Sequence, residues 1–381
     1  MCSYGLRNFK KTLTRFSISL GLVLISVSCA AGQERLFIIG QDLGSVRDYM
    51  AGECCPRPDG ITAYLSFYNL TSEEAGYGGL GIDLDGKPID REFDWGGGPA
   101  NAWKSATEFG SIGFAIGLSL VENEHPGALD RLVAGEYDDN IRQLARFFLK
   151  LDNAVYLRVG YEFDGFWNQG YDDSKRYVKA YRRIVDGLRA EGADNVQYVW
   201  QSAASPLDEL TEGYHENIRD WYPGDDYVDW VAFSLFLLLD EAPGIEVENQ
   251  PPTARELADE LLALARERDK PVMIAEASPQ GYDLAQGFNA NIAASWDGPQ
   301  ARDRVGISPE DAWNAWFAPV FEYMNKNRDV IHALAYINCH WDSQDLWDAP
   351  YEQGYWGDSR LQVSPELAAR FSAAIEHWKE N

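Results

Sequence analysis

The sequence predicts a single (β/α)8 barrel. Three observations lead there: eight short apolar runs, amphipathic helical stretches between them, and about 345 residues to hold the whole, a length at which such barrels form one domain. The runs fall at 36–41, 61–68, 113–120, 154–161, 196–201, 228–236, 271–275 and 330–338. Each is apolar on both faces, as a parallel strand covered by helices must be. Helical periodicity is clearest at 129–151, 173–191, 253–269 and 309–327, with 364–379 as a closing helix. Ser174 and Ser308 stand where two of these helices need caps, and Pro309 suits a first turn. A doubly wound sheet is the competing architecture, but the first run is not followed by a Gly-rich phosphate loop. Between residues 69 and 111 lies a stretch rich in Gly, Asp and Trp, with Gly76-Tyr77-Gly78-Gly79-Leu80-Gly81 and Asp94-Trp95-Gly96-Gly97-Gly98. It reads as a long loop after strand 2, and long ordered loops in compact domains serve sites.

The 381 residues carry 33 Lys and Arg against 60 Asp and Glu, a formal charge of −27. Nucleic acid is thereby disfavoured, because neutralising phosphates requires a basic face. Aromatic residues make up 13% of the chain, which argues against disorder. Five histidines, none in an H-x-H or H-E-x-x-H pair, make a metal-centred hydrolase a poor fit. Asp83 and Asp85 miss the spacing of a calcium loop and read as a turn. The expectation is therefore an activity with no metal and no cofactor.

At the amino terminus, Lys10, Lys11 and Arg15 precede an apolar run from Phe16 to Val27, the length of a signal-peptide core. Residues 1–29 are expected to be a signal peptide and 33–381 the catalytic domain. Removing residues 1–28 takes away Arg7, Lys10, Lys11 and Arg15 and no acid, moving the charge from −27 to −31. Ser26-Val27-Ser28-Cys29 loosely fits a lipoprotein signal, so a lipid anchor at Cys29 stands beside ordinary cleavage. The expected location is secreted, periplasmic or outer-membrane, and the expected state a monomer. Cys54, Cys55 and Cys339 remain; a vicinal bridge, or one from either of the first two to Cys339, are the options in an oxidising compartment.

In this fold the chemistry sits at the carboxyl ends of strands. Strand 4 runs Leu157-Arg158-Val159-Gly160-Tyr161-Glu162, and strand 7 runs Ile274-Ala275-Glu276. A carboxylate closing an apolar strand is costly unless a site needs it. Two facing each other across a barrel mouth are the equipment of a retaining glycosidase, one as acid then base, the other as nucleophile. The plainer reading is that each glutamate is an ion-paired barrel residue, with a partner such as Arg158. Around the pair, Arg158, Asp164, Asn168 and Gln201, with Gln41 and Asp42 after strand 1, are candidates to orient the acids or bond sugar hydroxyls. Asn338 ends strand 8 and has a similar claim. Asp42 equally suits a helix or turn cap. Sugar rings stack on aromatic faces, and Trp95, Trp103, Trp167, Trp200, Trp341, Trp347 and Trp356 all fall at strand ends or in following loops. Trp167 and Trp341 are the preferred platforms.

These residues resemble those of clan A glycoside hydrolases, and most closely family 26, the β-mannanase family. The segments that carry the resemblance are Gly135-Glu136-Tyr137-Asp138-Asp139-Asn140-Ile141, the strand ending at Glu162, Trp221-Tyr222-Pro223-Gly224-Asp225-Asp226-Tyr227-Val228-Asp229-Trp230, and Lys270-Pro271 through Glu276. The resemblance implies Glu162 as acid/base, Glu276 as nucleophile and a β-linked poly- or oligosaccharide as partner, β-mannan by family. Three positions depart from the pattern: Tyr161 stands where that family has His and most of the clan Asn, Ala277-Ser278 replaces an aromatic-Gly pair, and Ala232-Phe233-Ser234-Leu235-Phe236 lies where a Tyr often touches the nucleophile. Tyr161 is placed where the family's residue binds sugar or tunes the acid. The departures leave β-1,3-xylan and mixed-linkage glucan open as substrates. A non-catalytic glycan-binding protein on the same barrel is the main alternative.

Overall fold

Eight parallel strands close into a barrel in a computed structural model that describes residues 34–52, 54–206, 217–240, 251–290, 304–348 and 354–380. The expected signal segment and the Cys29 anchor lie outside the described residues. The strands are β1 (Leu36–Gly40), β2 (Gly60–Ser66), β3 (Gly113–Ser119), β4 (Val155–Val159), β5 (Val196–Ser202), β6 (Trp230–Leu235), β7 (Val272–Ala277) and β8 (Ile331–Ile337). Each pairs with its sequence neighbours, and β1 closes on β8 through Leu36 opposite Ala333 to Gly40 opposite Ile337. All eight coincide with the apolar runs read from the sequence.

Alternation along each strand sorts the side chains into two cores. Outward residues such as Leu157, Val231, Ile274 and Leu334 pack under the helices. Inward residues, among them Ile38, Tyr156, Val199, Trp230 and Met273, fill the barrel itself, interleaved with Ala115, Ala232, Ala275 and Ala335.

The helices are α1 (Leu43–Ala51), α2 (Ala102–Glu108), α3 (Ala128–Ala134), α4 (Asp138–Phe148), α5 (Ser174–Ala190), α6 (Ala254–Glu267), α7 (Ala318–Lys326) and α8 (Pro365–Glu380). The stretch expected as one helix over 129–151 is two, α3 and α4. Gly135 ends α3 at φ 93°, a left-handed cap that glycine adopts without steric cost. Asp173, not Ser174, caps α5, its carboxylate accepting from the amides of Lys175 and Arg176. Ser308 does cap, forming a reciprocal box with Asp311 ahead of a short helical turn and a π-turn at Trp313–Phe317. The stretch expected as an unbroken loop after strand 2 contains α2, capped by Asn101. Asp83 accepts from the amides of Asp85 and Lys87, which makes that acidic pair a turn. Cys54, Cys55 and Cys339 are free thiols; the first two sulfurs lie 2.8 Å apart and Cys339 is buried.

Candidate active site

The carboxyl ends of the strands open into a cleft of about 440 Å³ lined by Glu162, Glu276 and a ring of aromatic side chains. Two local irregularities aim the acids into it. Simple alternation would turn Glu276 outward, because Met273 and Ala275 face in while Ile274 faces out. A bulge on β7 inserts one residue: Phe233 pairs with Ile274, but Ser234 pairs with Glu276, skipping Ala275. Such a bulge re-aims the side chain that follows it. Glu162 lies beyond the end of β4 in the left-handed region, at φ 50°, a strained setting for a non-glycine residue. It is held there by its amide donating to the Gln201 carbonyl at 3.0 Å and by its carbonyl accepting from Asn168 Nδ2 at 2.8 Å.

The two carboxylates meet different surroundings. Glu276 Oε1 accepts from Arg158 Nη1, and Arg158 is wholly buried. The guanidinium lies near two aromatic rings, 4.9 Å from the Tyr64 centroid and 5.2 Å from that of Tyr161, a favourable placement for a cation. Tyr161 is thus engaged with Arg158 as well as lining the cleft. Arg158 Nη1 also donates to Gln201 Oε1 at 3.0 Å. Gln201 Nε2 donates to Ser234 Oγ at 3.0 Å, and Ser234 donates to Glu162 Oε1 at 2.6 Å. Trp167 Nε1 donates to Glu162 Oε2 at 3.1 Å. Burial, with the nearby charge of Glu276 second, pushes the Glu162 carboxyl up to about 8 against the hydrogen bonds from Ser234 and Trp167. The arrangement suits one acid that holds a proton near neutrality beside one carboxylate whose charge an arginine balances.

The aromatic wall is built by Trp341, Trp347, Trp356 and Phe236. The Trp341 and Trp356 centroids are 4.6 Å apart, those of Trp347 and Trp356 4.8 Å, and Phe236 stands edge-on to Trp356 at 4.9 Å. Trp341 is anchored by its Nε1 donating to Ser359 Oγ at 3.0 Å. Trp167 and Trp95 also line the cleft, the latter 48% exposed. Trp200 and Trp103 lie elsewhere. Trp200 is fully buried and stacks on Phe163 at 5.1 Å, because its strand position faces the helices, and Trp103 packs against that same outer core.

Of the other residues read from the sequence, Gln41, Asp42, Tyr161 and Asn168 line the cleft, while Gln201 lies beneath it in the network. Asp42 caps α1 through Gly44 and Ser45 and accepts from Gln344 Nε2 at 3.0 Å, so its carboxylate is largely occupied. Asp164 turns away and ties down the end of β5 through Ser202 Oγ and the Ala203 amide. Asn338 does not face the mouth: it is buried and binds the Leu361 amide and Gln362. Tyr64 and Gln344 belong to the site without having been candidates, and Ser234 and Phe236, noted in the sequence only as a departure from the family's pattern, belong to it too. Each is an ordinary strand or loop residue in sequence, and only the inward register of β2 and β6 marks Tyr64 and Ser234.

A parallel eight-stranded barrel with two carboxylates and an aromatic wall at its carboxyl-end mouth is the architecture expected of the (β/α)8 glycoside hydrolase class. The chain resembles glycosyl hydrolase family 26, whose sequence model matches residues 102–247. It is 32% identical over 346 residues to a β-1,3-xylanase of a Vibrio species, an alignment covering 90% of this chain and 65% of that protein. A β-1,3-xylanase of an Alcaligenes species is likewise 32% identical, over 90% of this chain and 64% of the relative. The chain therefore spans just under two-thirds of the length of these relatives. The family 26 β-mannanase of Bacteroides ovatus shares the fold, with a TM-score of 0.53 at 16% identity over 89% of this chain and 88% of that one.

Proposed function

We propose that this protein is a retaining glycoside hydrolase acting on β-1,3-xylan. The observation that carries the reaction class is the contrast between Glu162, buried with the neutral donors Ser234 and Trp167 on its carboxyl and pushed toward the protonated form by that burial, and Glu276, which is paired with Arg158, both in one aromatic cleft. Glu276 attacks the anomeric carbon while Glu162 gives its proton to the departing oxygen, breaking the bond between that carbon and that oxygen. A water molecule, losing its proton to Glu162, then displaces Glu276 from the same carbon and restores both groups. The aromatic wall stacks on sugar rings, which present apolar faces. The substrate rests on the two relatives named as β-1,3-xylanases. The likeness to the mannanase is one of fold and carries no substrate.

The test is incubation with β-1,3-xylan, β-1,4-xylan, β-mannan and mixed-linkage glucan, with products sized and the first-formed anomer read by proton NMR. Xylo-oligosaccharides from the first substrate, released with retained configuration, are the expected result. Release from β-mannan alone would overturn the substrate and leave the reaction class standing. Binding without release from any of them would overturn the hydrolase reading.

A further inference from the structure

The donor directions in the site network are fixed by one residue. Arginine has no acceptor and stays protonated. Gln201 Oε1 must therefore be the atom facing Arg158 Nη1, which turns the Gln201 amide nitrogen toward Ser234. Ser234 Oγ accepts from that nitrogen, which leaves its own hydrogen for Glu162 Oε1 at 2.6 Å. The other Glu162 oxygen faces Trp167 Nε1, a donor only. Both oxygens of Glu162 are thus offered hydrogen bonds suited to the ionised form. At the opposite end, Glu276 Oε1 accepts from Arg158 and, at 3.4 Å, from the same Gln201 nitrogen.

We propose that Ser234 is a positioning residue for Glu162, held as a hydrogen-bond donor by Gln201, and that Arg158 and Gln201 join the two carboxylates into one network through it. The proposal rests on the functional reading above and deepens it. The bulge on β7 pairs Ser234 with Glu276 across the sheet, so the hydroxyl lies where it links the two acids. Its role falls in the second half of the cycle. There Glu162 is ionised as it awaits the water's proton, and Ser234 and Trp167 hold that charged form in place. In the first half Glu162 is protonated and the Ser234 contact keeps its carboxyl from rotating. The charged and titratable groups around Glu162 are Glu276 on β7, Arg158 on β4, Tyr161 beside it and Asp164 beyond it; Tyr64 on β2 faces Arg158.

The test is Ser234→Ala, read in two ways. Carbon-13 NMR of the glutamate carboxyls, with Glu162 assigned from Glu162→Gln, follows its titration without any turnover. Loss of the donor destabilises the carboxylate, so its midpoint moves upward by about 1 in pH. The alkaline limb of kcat/KM on xylo-oligosaccharide moves the same way. Ser234→Thr, which keeps the hydroxyl, restores both. Gln201→Met moves the midpoint in the same direction by less, and no further in the Ser234→Ala background. An unmoved midpoint in folded Ser234→Ala would overturn the proposal, as would independent, additive shifts from Gln201. If the natural protein shows no hydrolysis while the midpoint still moves, the hydrolase reading falls and the hydrogen-bond assignment stands.

Discussion

Gly117 of β3 stands beside Arg158 of β4 in register, and its missing side chain makes room for the guanidinium. A Cβ at Gly117 would lie 2.7 Å from a ring carbon of Tyr64 and 3.0 Å from Arg158 Nη2. Gly117→Ala is therefore expected to push Arg158 and Tyr64 apart from their present contact. Overpacking of this kind costs about 1–3 kcal/mol. Thermal unfolding should show that loss, and kcat/KM should fall by about tenfold or more as Arg158 shifts from Glu276.

Replacing either acid should stop turnover, but with unequal effects on stability. Glu276→Ala leaves the buried Arg158 charge without its carboxylate, and breaking a buried pair in this way costs about 3–5 kcal/mol. Among the described residues no cation bonds the Glu162 carboxylate, so Glu162→Ala should cost less. Denaturant titrations of the two variants at pH 7 check the order, and equal losses would contradict the role given to Arg158.

Stability should also fall as pH rises. Glu162 binds its proton more tightly in the folded chain, at about 8, than in the unfolded chain, whose carboxyl lies near the ordinary glutamate value of about 4.3. Between these values the folded state holds the extra proton, so its contribution is present below the lower value and is lost as pH climbs toward the upper one. Glu162→Gln removes this dependence. The natural protein should lose ground to Glu162→Gln between pH 5 and about 8 in paired melting curves.

Two tryptophans of the cleft should answer differently to alanine. Trp95 is 48% exposed, so Trp95→Ala should alter stability by no more than about 0.5 kcal/mol while raising KM for long substrates. Trp341 is buried among Trp347 and Trp356, and Trp341→Ala should cost about 3–5 kcal/mol as well as binding. Calorimetry with a long xylo-oligosaccharide, beside thermal unfolding, separates the two effects.

The barrel was legible because each strand is buried on both sides and reads as an unbroken apolar run. The helices α1 and α2 were not: one is nine residues long, the other seven, and both lie among glycines. The break at Gly135 had a visible signal, a glycine followed by acids suited to a new first turn, but helical periodicity on both sides masked it. Glu162 and Glu276 stood out as charges ending apolar strands. The reason Glu276 points inward did not, since a bulge depends on pairing with β6 and β8. Ser234 was hidden for a related reason: a small polar residue inside an apolar run carries no sign of which acid it will meet. Trp200 misled because the indole of an inward residue and that of an outward one look alike in sequence.

The polar network occupies the top layer of the barrel itself, on strands β4 to β7 and the turn after β4, whereas Trp95, Leu346 and Trp347 ride on loops outside it. Under the proposed function, the two acids and the outer aromatic surface that would meet the sugar are thereby built on separate parts of the chain. Exchanging the segment around Asp94–Gly98, or that around Gln344–Trp347, can redirect which glycan is gripped without disturbing the acids.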